Sequence, residues 1–423
     1  MDSSTHITIT VFRGWLVTFS AACMGLVMGV LYVWSVVKGG IPEAWGWSNA
    51  DKALPYSTMC IVFSIIMVPA GVLQDRYGPR WLVILGGFLS GLGCIVSGLG
   101  GDSIIAYVIG FGVLTGAGAG FGYSALTPTA IKWFPPQHTG RIAGIVVAGF
   151  GLAPVLLAPL TAMLLKFFSS VSPEGYIEPG VSSAMIVIGL LTWLVVGVLC
   201  WFIVAPPMGF AASAGQTPDV MMKGPELEWK QMLGTAQFWL LFSMYFAGAS
   251  AGLVFISVAS DLAKNTLGAW AFLAVVVLAF GNTAGRILAG IISDKIGRQW
   301  TLFGEFSCQF LVIATLFWVS KNGGGAWPIV LFVVFMIGLN YGANLTLFPA
   351  ACKDNFGLQN FGVNYGCLYA AFGTAGSLMP WLNGFIKDVT GKPDLSYILI
   401  MAILVIAAIM ALVSLRLGPP KTT

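Results

Sequence analysis

The side chain with the sharpest chemical demand is Arg286, set inside an apolar run with Asn282 four residues before it and Asp294 eight residues after it. If the run is a helix, eight residues lift Arg286 ~12 Å above Asp294, deep inside a hydrocarbon layer of about 30 Å. A guanidinium there costs about 2.5–3.5 kcal/mol even on lenient insertion scales, and it does not shed its proton. Its planar, paired donors match a carboxylate. A permanent internal acid is the alternative partner, but Asp261 falls near the outer end of its run and Glu305 near the inner end of its own, neither at mid-depth. The chemistry expected is reversible binding of a carboxylate. Asn282 lies on the same helical face as a second polar contact, and Gly281 and Gly285 leave room beside it.

Few other residues offer chemistry. The seven cysteines fall inside or at the ends of apolar stretches with no CxxC pair, so they read as small packing residues rather than metal or disulfide ligands. His6 and His138 sit in polar contexts. The alternating glycines from Gly110 to Gly122 mimic a dinucleotide fingerprint but lack the preceding strand and the following acid, and close helix packing explains them better. No nucleotide-binding loop is present. No cofactor, no metal and no enzymatic activity are expected.

Arg286 needs a scaffold that holds it in the membrane, and the composition supplies one. Hydrophobic residues make up 57% of the 423 and charged residues 9%, against roughly 25% charge in soluble domains; the mean hydropathy is +0.89. Twelve apolar spans are expected: 15–37, 53–73, 81–99, 104–131, 142–165 and 181–204, then 238–262, 269–292, 301–319, 328–350, 362–386 and 395–415. These form an all-α membrane protein in two six-helix halves, residues 1–204 and 235–423, joined by a cytoplasmic linker over 205–234. The polar first ten residues, followed by an over-long apolar run, do not read as a cleavable leader. The net charge of +4 comes from scattered residues, so no nucleic-acid partner is expected.

Lysine and arginine placement orients the chain. With the N-terminus inside, inner segments hold twelve positive residues and outer segments seven, and every arginine except Arg286 is on the inner side. Both termini are therefore expected in the cytoplasm. The segment Gly71-Val72-Leu73-Gln74-Asp75-Arg76-Tyr77-Gly78 returns as Gly290-Ile291-Ile292-Ser293-Asp294-Lys295-Ile296-Gly297, an offset of 219. A weaker echo links Phe150-Gly151 to Phe372-Gly373. Parallel repeats of six spans are the plan of a secondary transporter whose site lies between the halves.

The duplicated motif resembles that of the major facilitator superfamily. The resemblance implies that Gly71 and Gly290 let neighbouring helices approach, and that Asp75, Arg76, Asp294 and Lys295 make gating contacts at the inner end. Trp133-Phe134-Pro135, Gly140-Arg141, Arg286 and Asn364-Tyr365-Gly366 are, together and in order, similar to the monocarboxylate transporter and oxalate/formate antiporter branches. Both branches carry a substrate-binding arginine at the position of Arg286. Animal monocarboxylate transporters carry a proton-coupling aspartate where this chain has Asn282. The antiporters carry a second cation, a lysine, where this chain has Phe372.

Tyr32, Tyr123, Asn340, Tyr341, Tyr365 and Tyr369 fall where span positions put them near a central cavity, with Tyr123 and Tyr369 nearest mid-span. The function expected is alternating-access transport of small monocarboxylates, such as lactate, pyruvate or acetate, with a proton, by a monomer in the cell's inner membrane. Arg286, Asn282, Tyr32, Tyr123, Tyr341, Tyr369 and Phe372 would bind the substrate, and Asp261 would take part in proton coupling. An oxalate/formate-type exchanger is the first alternative. A carboxylate sensor signalling through the linker is the second, disfavoured by the linker's length.

Overall fold

The computed structural model describes residues 3–134, 139–171, 177–206, 226–321, 326–357 and 360–417; the side chains of 3–11, 71–72, 75–76, 139–141, 143, 177–178, 265 and 361–362 lie outside the description. Among the described residues the regular structure is helical, apart from a two-residue antiparallel pairing, β1 (Ser170–Val171) with β2 (Ile177–Glu178), in register Ser170 to Glu178. The N-terminal half holds α1 (Ser3–Met28), α2 (Trp34–Gly39), α3 (Asn49–Tyr77), α4 (Pro79–Leu99), α5 (Ile104–Tyr107), α6 (Gly116–Ile131), α7 (Thr139–Phe167) and α8 (Val181–Leu199). A short α9 (Trp229–Leu233) precedes α10 (Ala236–Leu267), α11 (Phe272–Ile296), α12 (Arg298–Lys321), α13 (Trp327–Phe356), α14 (Phe361–Thr390) and α15 (Asp394–Leu417) of the C-terminal half.

All twelve expected spans fall in helical segments, with two instructive departures. The first span is not one helix: α1 and α2 are separated by a tighter turn over Val30–Val33, where Tyr32 sits. An irregular backbone at membrane depth is tolerated where it borders a cavity. Secondly, eleven segments among the described residues are long and apolar enough to cross a bilayer, and α14 is not among them despite its 30 residues. Its polar Asn364 and Asn383 are buried, Asn364 on the Leu227 carbonyl, and one side of α14 packs along α3 of the other half.

The repeated motif has a backbone cause. Gly78 and Gly297 take positive φ of 81° and 89°, and each N–H closes its helix on a carbonyl four residues back, Gln74 and Ser293. That left-handed turn ends α3 and α11 and starts α4 and α12, and a side chain there would be strained. The halves meet chiefly along α3 with α14 and α7 with α11, and α2 also packs against α10.

The ends of the bundle differ. At the end distal to the chain termini, Lys38 Nζ of α2 lies 3.7 Å from Asp261 Oδ2 of α10. Asp388 of α14 accepts the backbone N–H groups of Asn49 and Ala50 and the Asn49 amide, each at 2.8 Å, at the start of α3. Partial burial works against the Asp388 charge, but the donors from Ala50 and Asn49 outweigh it and hold the carboxyl below its ordinary range. At the terminal end, Arg298 pairs with Asp294 and Asp354 within the C-terminal half. Most of the expected linker, residues 207–225, lies outside the described residues; its end docks on the C-terminal half, where Leu227 donates to the Phe356 carbonyl and accepts from Asn364.

Candidate functional site

Where the halves meet at mid-depth, a small cavity of about 30 Å³ is lined by Arg286 together with Tyr32, Tyr123, Tyr341, Tyr369 and Phe372. That volume holds one or two waters, so the walls are close around the cation. Asn282 is fully buried behind it, its Oδ1 accepting from Arg286 Nε at 3.1 Å. The seven residues expected to bind substrate are thus brought together, Asn282 through its bond to the guanidinium.

Each side chain is held by its element. Gly281 and Gly285 are positions where α13 backbone approaches α11 so closely that a Cβ would lie 2.1 Å from the Phe335 carbonyl and 1.8 Å from that of Leu339. The room beside Asn282 is therefore filled by α13, and the face carrying Arg286 is pressed toward the other half. Tyr341 comes from α13 and meets Tyr32 from the broken first span, hydroxyl to hydroxyl, at 3.4 Å. An aromatic wall completes the chamber: Phe63 to Tyr123 at 5.7 Å, Tyr123 to Phe150 at 5.0 Å, and Tyr369 stacked on Phe372 at 4.8 Å.

The electrostatics are one-sided. Arg286 makes no ion pair with any described acid, and the hydroxyl-bearing rings of Tyr32, Tyr123 and Tyr341 line the cavity with it. The internal-acid alternative is not realised here. A fixed positive charge ringed by neutral hydroxyls and aromatic carbon suits a small anion with one charged end and an apolar end.

Other expected residues lie elsewhere. Asp261 lines a larger distal recess of about 450 Å³ with Lys38 and Lys387, and its nearest cation is Lys38. Asn340 points away from the chamber, toward Cys308 and the Met336 carbonyl. Tyr365 approaches the Tyr245 hydroxyl at 3.5 Å. In the second motif copy, Asp294 pairs with Arg298 at 2.8 Å and Arg298 with Asp354 at 3.1 Å, tying α11 and α12 to α13. Lys295 is exposed, and Gly290 borders Thr346 at ordinary contact distance. Gly71, Asp75 and Arg76 belong to α3, but their side chains lie outside the described residues.

Sequence reasoning passed over Phe63 and Phe150 as wall residues. Phe63 carries no signal in the sequence. Phe150 does: the Phe150-Gly151 and Phe372-Gly373 echo places both on matching helices of the two halves, facing one chamber.

A model described as the Major Facilitator Superfamily matches residues 15–366. The chain is 26% identical over 415 residues to the oxalate:formate antiporter of Oxalobacter formigenes, covering 96% of this chain and 93% of that protein. It is 25% identical to human monocarboxylate transporter 11, covering 91% and 79%. Among solved structures, the xylose transporter XylE from E. coli superposes with a TM-score of 0.72 at 14% identity, over 97% of this chain and 100% of that one. Two six-helix halves with a duplicated motif, a chamber between them and this match across most of the chain lead to one assignment: the protein is a multi-pass membrane transporter, not an enzyme, and belongs to the major facilitator superfamily.

Proposed function

We propose that the protein is a secondary active transporter of small monocarboxylates of the lactate, pyruvate or acetate type, moving them with a proton by alternating access. The observation that carries the reading is Arg286, the one cation lining a chamber that Phe372 also lines, and without an ion-pair partner among the described acids. A carboxylate at ~4 Å from the guanidinium gains roughly 4 kcal/mol at an effective dielectric near 20, before desolvation. The apolar end of the substrate packs on the aromatic wall. Relatives named as a monocarboxylate transporter and as an apicoplast pyruvate carrier agree with this substrate class. Relatives from bacteria and the placement of lysine and arginine support an inner-membrane location with both termini in the cytoplasm. In that orientation the tied distal end is the outer gate, with residues 1–204 and 235–423 as the two moving halves about a cytoplasmic linker.

Exchange of oxalate against formate is the second reading, favoured by the similarity to the antiporter. A dicarboxylate, however, brings a second charge to a chamber with one cation, and an uncompensated buried charge costs several kcal/mol.

The test is uptake of labelled lactate, acetate and oxalate into proteoliposomes with and without an imposed pH gradient. Lactate or acetate uptake well above oxalate uptake, stimulated when the external medium is the more acid side, is expected. Arg286→Ala should insert normally and lose transport, and Arg286→Lys should fare little better, since a point charge does not reproduce paired donors. Near-native uptake by Arg286→Ala would sink the assignment of the site.

A further inference from the structure

Beside the substrate chamber, the C-terminal half buries a second polar site. Glu305 of α12 is 7% exposed and Gln309, one turn on, is 1% exposed. Asn344 of α13, also buried, donates its amide to Glu305 Oε1 at 3.1 Å. Glu305 Oε2, both polar atoms of the Gln309 amide and Asn344 Oδ1 have no hydrogen-bond partner. Gly248 of α10 passes so close to Asn344 that a Cβ would lie 2.4 Å from its Oδ1, so the missing side chain keeps space for that amide.

No cation balances the carboxyl. α11, α13 and α15 pack against α12, and neither Arg286 and Lys295 of α11, Lys353 of α13 nor Arg416 of α15 forms an ion pair with Glu305. The acids Asp294, Asp354 and Asp394 also have their own partners or face elsewhere. Asn344 is the carboxyl's one hydrogen-bond partner among the described residues. A buried carboxylate facing only neutral amides is costly, and the inexpensive form carries a proton.

We propose that Glu305 is the proton carrier of the transport cycle, a reading that rests on proton-coupled monocarboxylate transport. One proton from water binds the Glu305 carboxylate as an O–H on one side of the membrane and returns to water on the other; no other bond changes. Both forms find partners in the same cluster. The acid can donate to an amide oxygen of Gln309 or Asn344, and the carboxylate can accept from the amide nitrogens of both. The link to the substrate is α13: Asn344 holds Glu305, while Thr346, two residues on, donates to the backbone carbonyl of Arg286 at 3.2 Å. Tyr341, three residues before Asn344, meets Tyr32 across the halves. Charge balances at both ends of the cycle. The loaded carrier pairs Arg286 with the anion and keeps Glu305 neutral; the empty carrier holds the Arg286 cation and the Glu305 anion at separate places without an ion pair, so the two sites together carry no net charge in either state. Glu305 thus differs from Asp261, which already faces the Lys38 ammonium at the distal end.

The test compares native protein, Glu305→Gln and Glu305→Asp in proteoliposomes. A gradient of one pH unit drives about ten-fold accumulation at one proton per substrate. Glu305→Gln, the isostere of the acid, should lose that accumulation and the proton uptake evoked by lactate while retaining lactate exchange, and Glu305→Asp should restore part of the coupling. Accumulation by Glu305→Gln equal to the native protein, or accumulation driven by a sodium gradient instead, overturns the proposal. An infrared measurement on substrate-free protein stands apart from the choice of substrate. A carboxylic carbonyl band that titrates with pH in the native protein and is missing from Glu305→Gln is expected, and identical spectra overturn the proposal even if lactate proves not to be transported.

Discussion

Arg286 states its need through its type and depth alone, and its setting answers it: a bond to Asn282, hydroxyls around it and no acid. In the proposed reading Phe372 sets the charge count. It is buried and stacked on Tyr369, so Phe372→Lys would put a second cation beside the first. We expect that variant to bind lactate more weakly and oxalate more tightly, and to lose thermal stability when empty, since two like charges in a dry chamber repel and lack partners. Competition by oxalate against labelled lactate measures the switch; oxalate competing as well as lactate against native protein would remove Phe372 from that role. At this scale the sequence spoke where a residue violates its surroundings. An arginine in hydrocarbon is legible, whereas Phe63 in a chain with 29 phenylalanines is not. Glu305 was legible as an acid but not as a site, because its neighbours Gln309, Asn344 and Gly248 come from three helices whose pairing no local pattern reveals.

Helices are read from apolar length, and that criterion weakens where a helix turns its side chains to a partner half. This is why α14 falls short of the hydropathy expected of a span, and why the turn at Val30–Val33 was invisible in a uniformly apolar run. Both elements touch the other half, α14 along α3 and the turn through Tyr32 to Tyr341. Asp388 of α14 sits against the first N–H groups of α3, where the helix dipole favours a negative charge by about 0.3–1 kcal/mol. Asp388→Asn should shift the population about two- to five-fold toward opening of the distal end, by that same energy, read as faster thiol labelling of a cysteine placed in the distal recess. The pH behaviour follows from the depressed carboxyl. Its contribution is present above the ordinary carboxylate range and is lost only as pH falls through the lowered value, so the labelling rate, divided by the thiolate fraction at each pH, should be flat between neutrality and mild acid. Any pH dependence of transport in that window must then come from another group. A labelling rate that rises steadily from neutral to mildly acid pH in native protein, and not in Asp388→Asn, would contradict this.

For the whole molecule, the question is whether the halves move as bodies about the chamber. The parallel repeat made two halves legible, down to matched positive-φ glycines at Gly78 and Gly297. Which helices meet across the halves was not legible, since α3 and α14 are far apart in sequence and join only through tertiary packing. The distal end is tied by Asn49 to Asp388 and by Lys38 to Asp261. A covalent bridge at the distal tie therefore should not disturb the present arrangement but should forbid its counterpart. We expect Asn49→Cys combined with Asp388→Cys, joined by a short bifunctional thiol reagent that is itself reducible, to stop transport completely. Arg286 should still be reached by lactate from the terminal side, so binding to the bridged protein in detergent should persist at near-native affinity, and reduction should restore transport. Single-cysteine variants treated with the reagent control for loss of Asp388 itself. Transport continuing at the native rate through a verified bridge would mean that the halves need not separate distally, and alternating access about Arg286 would fail as the mechanism.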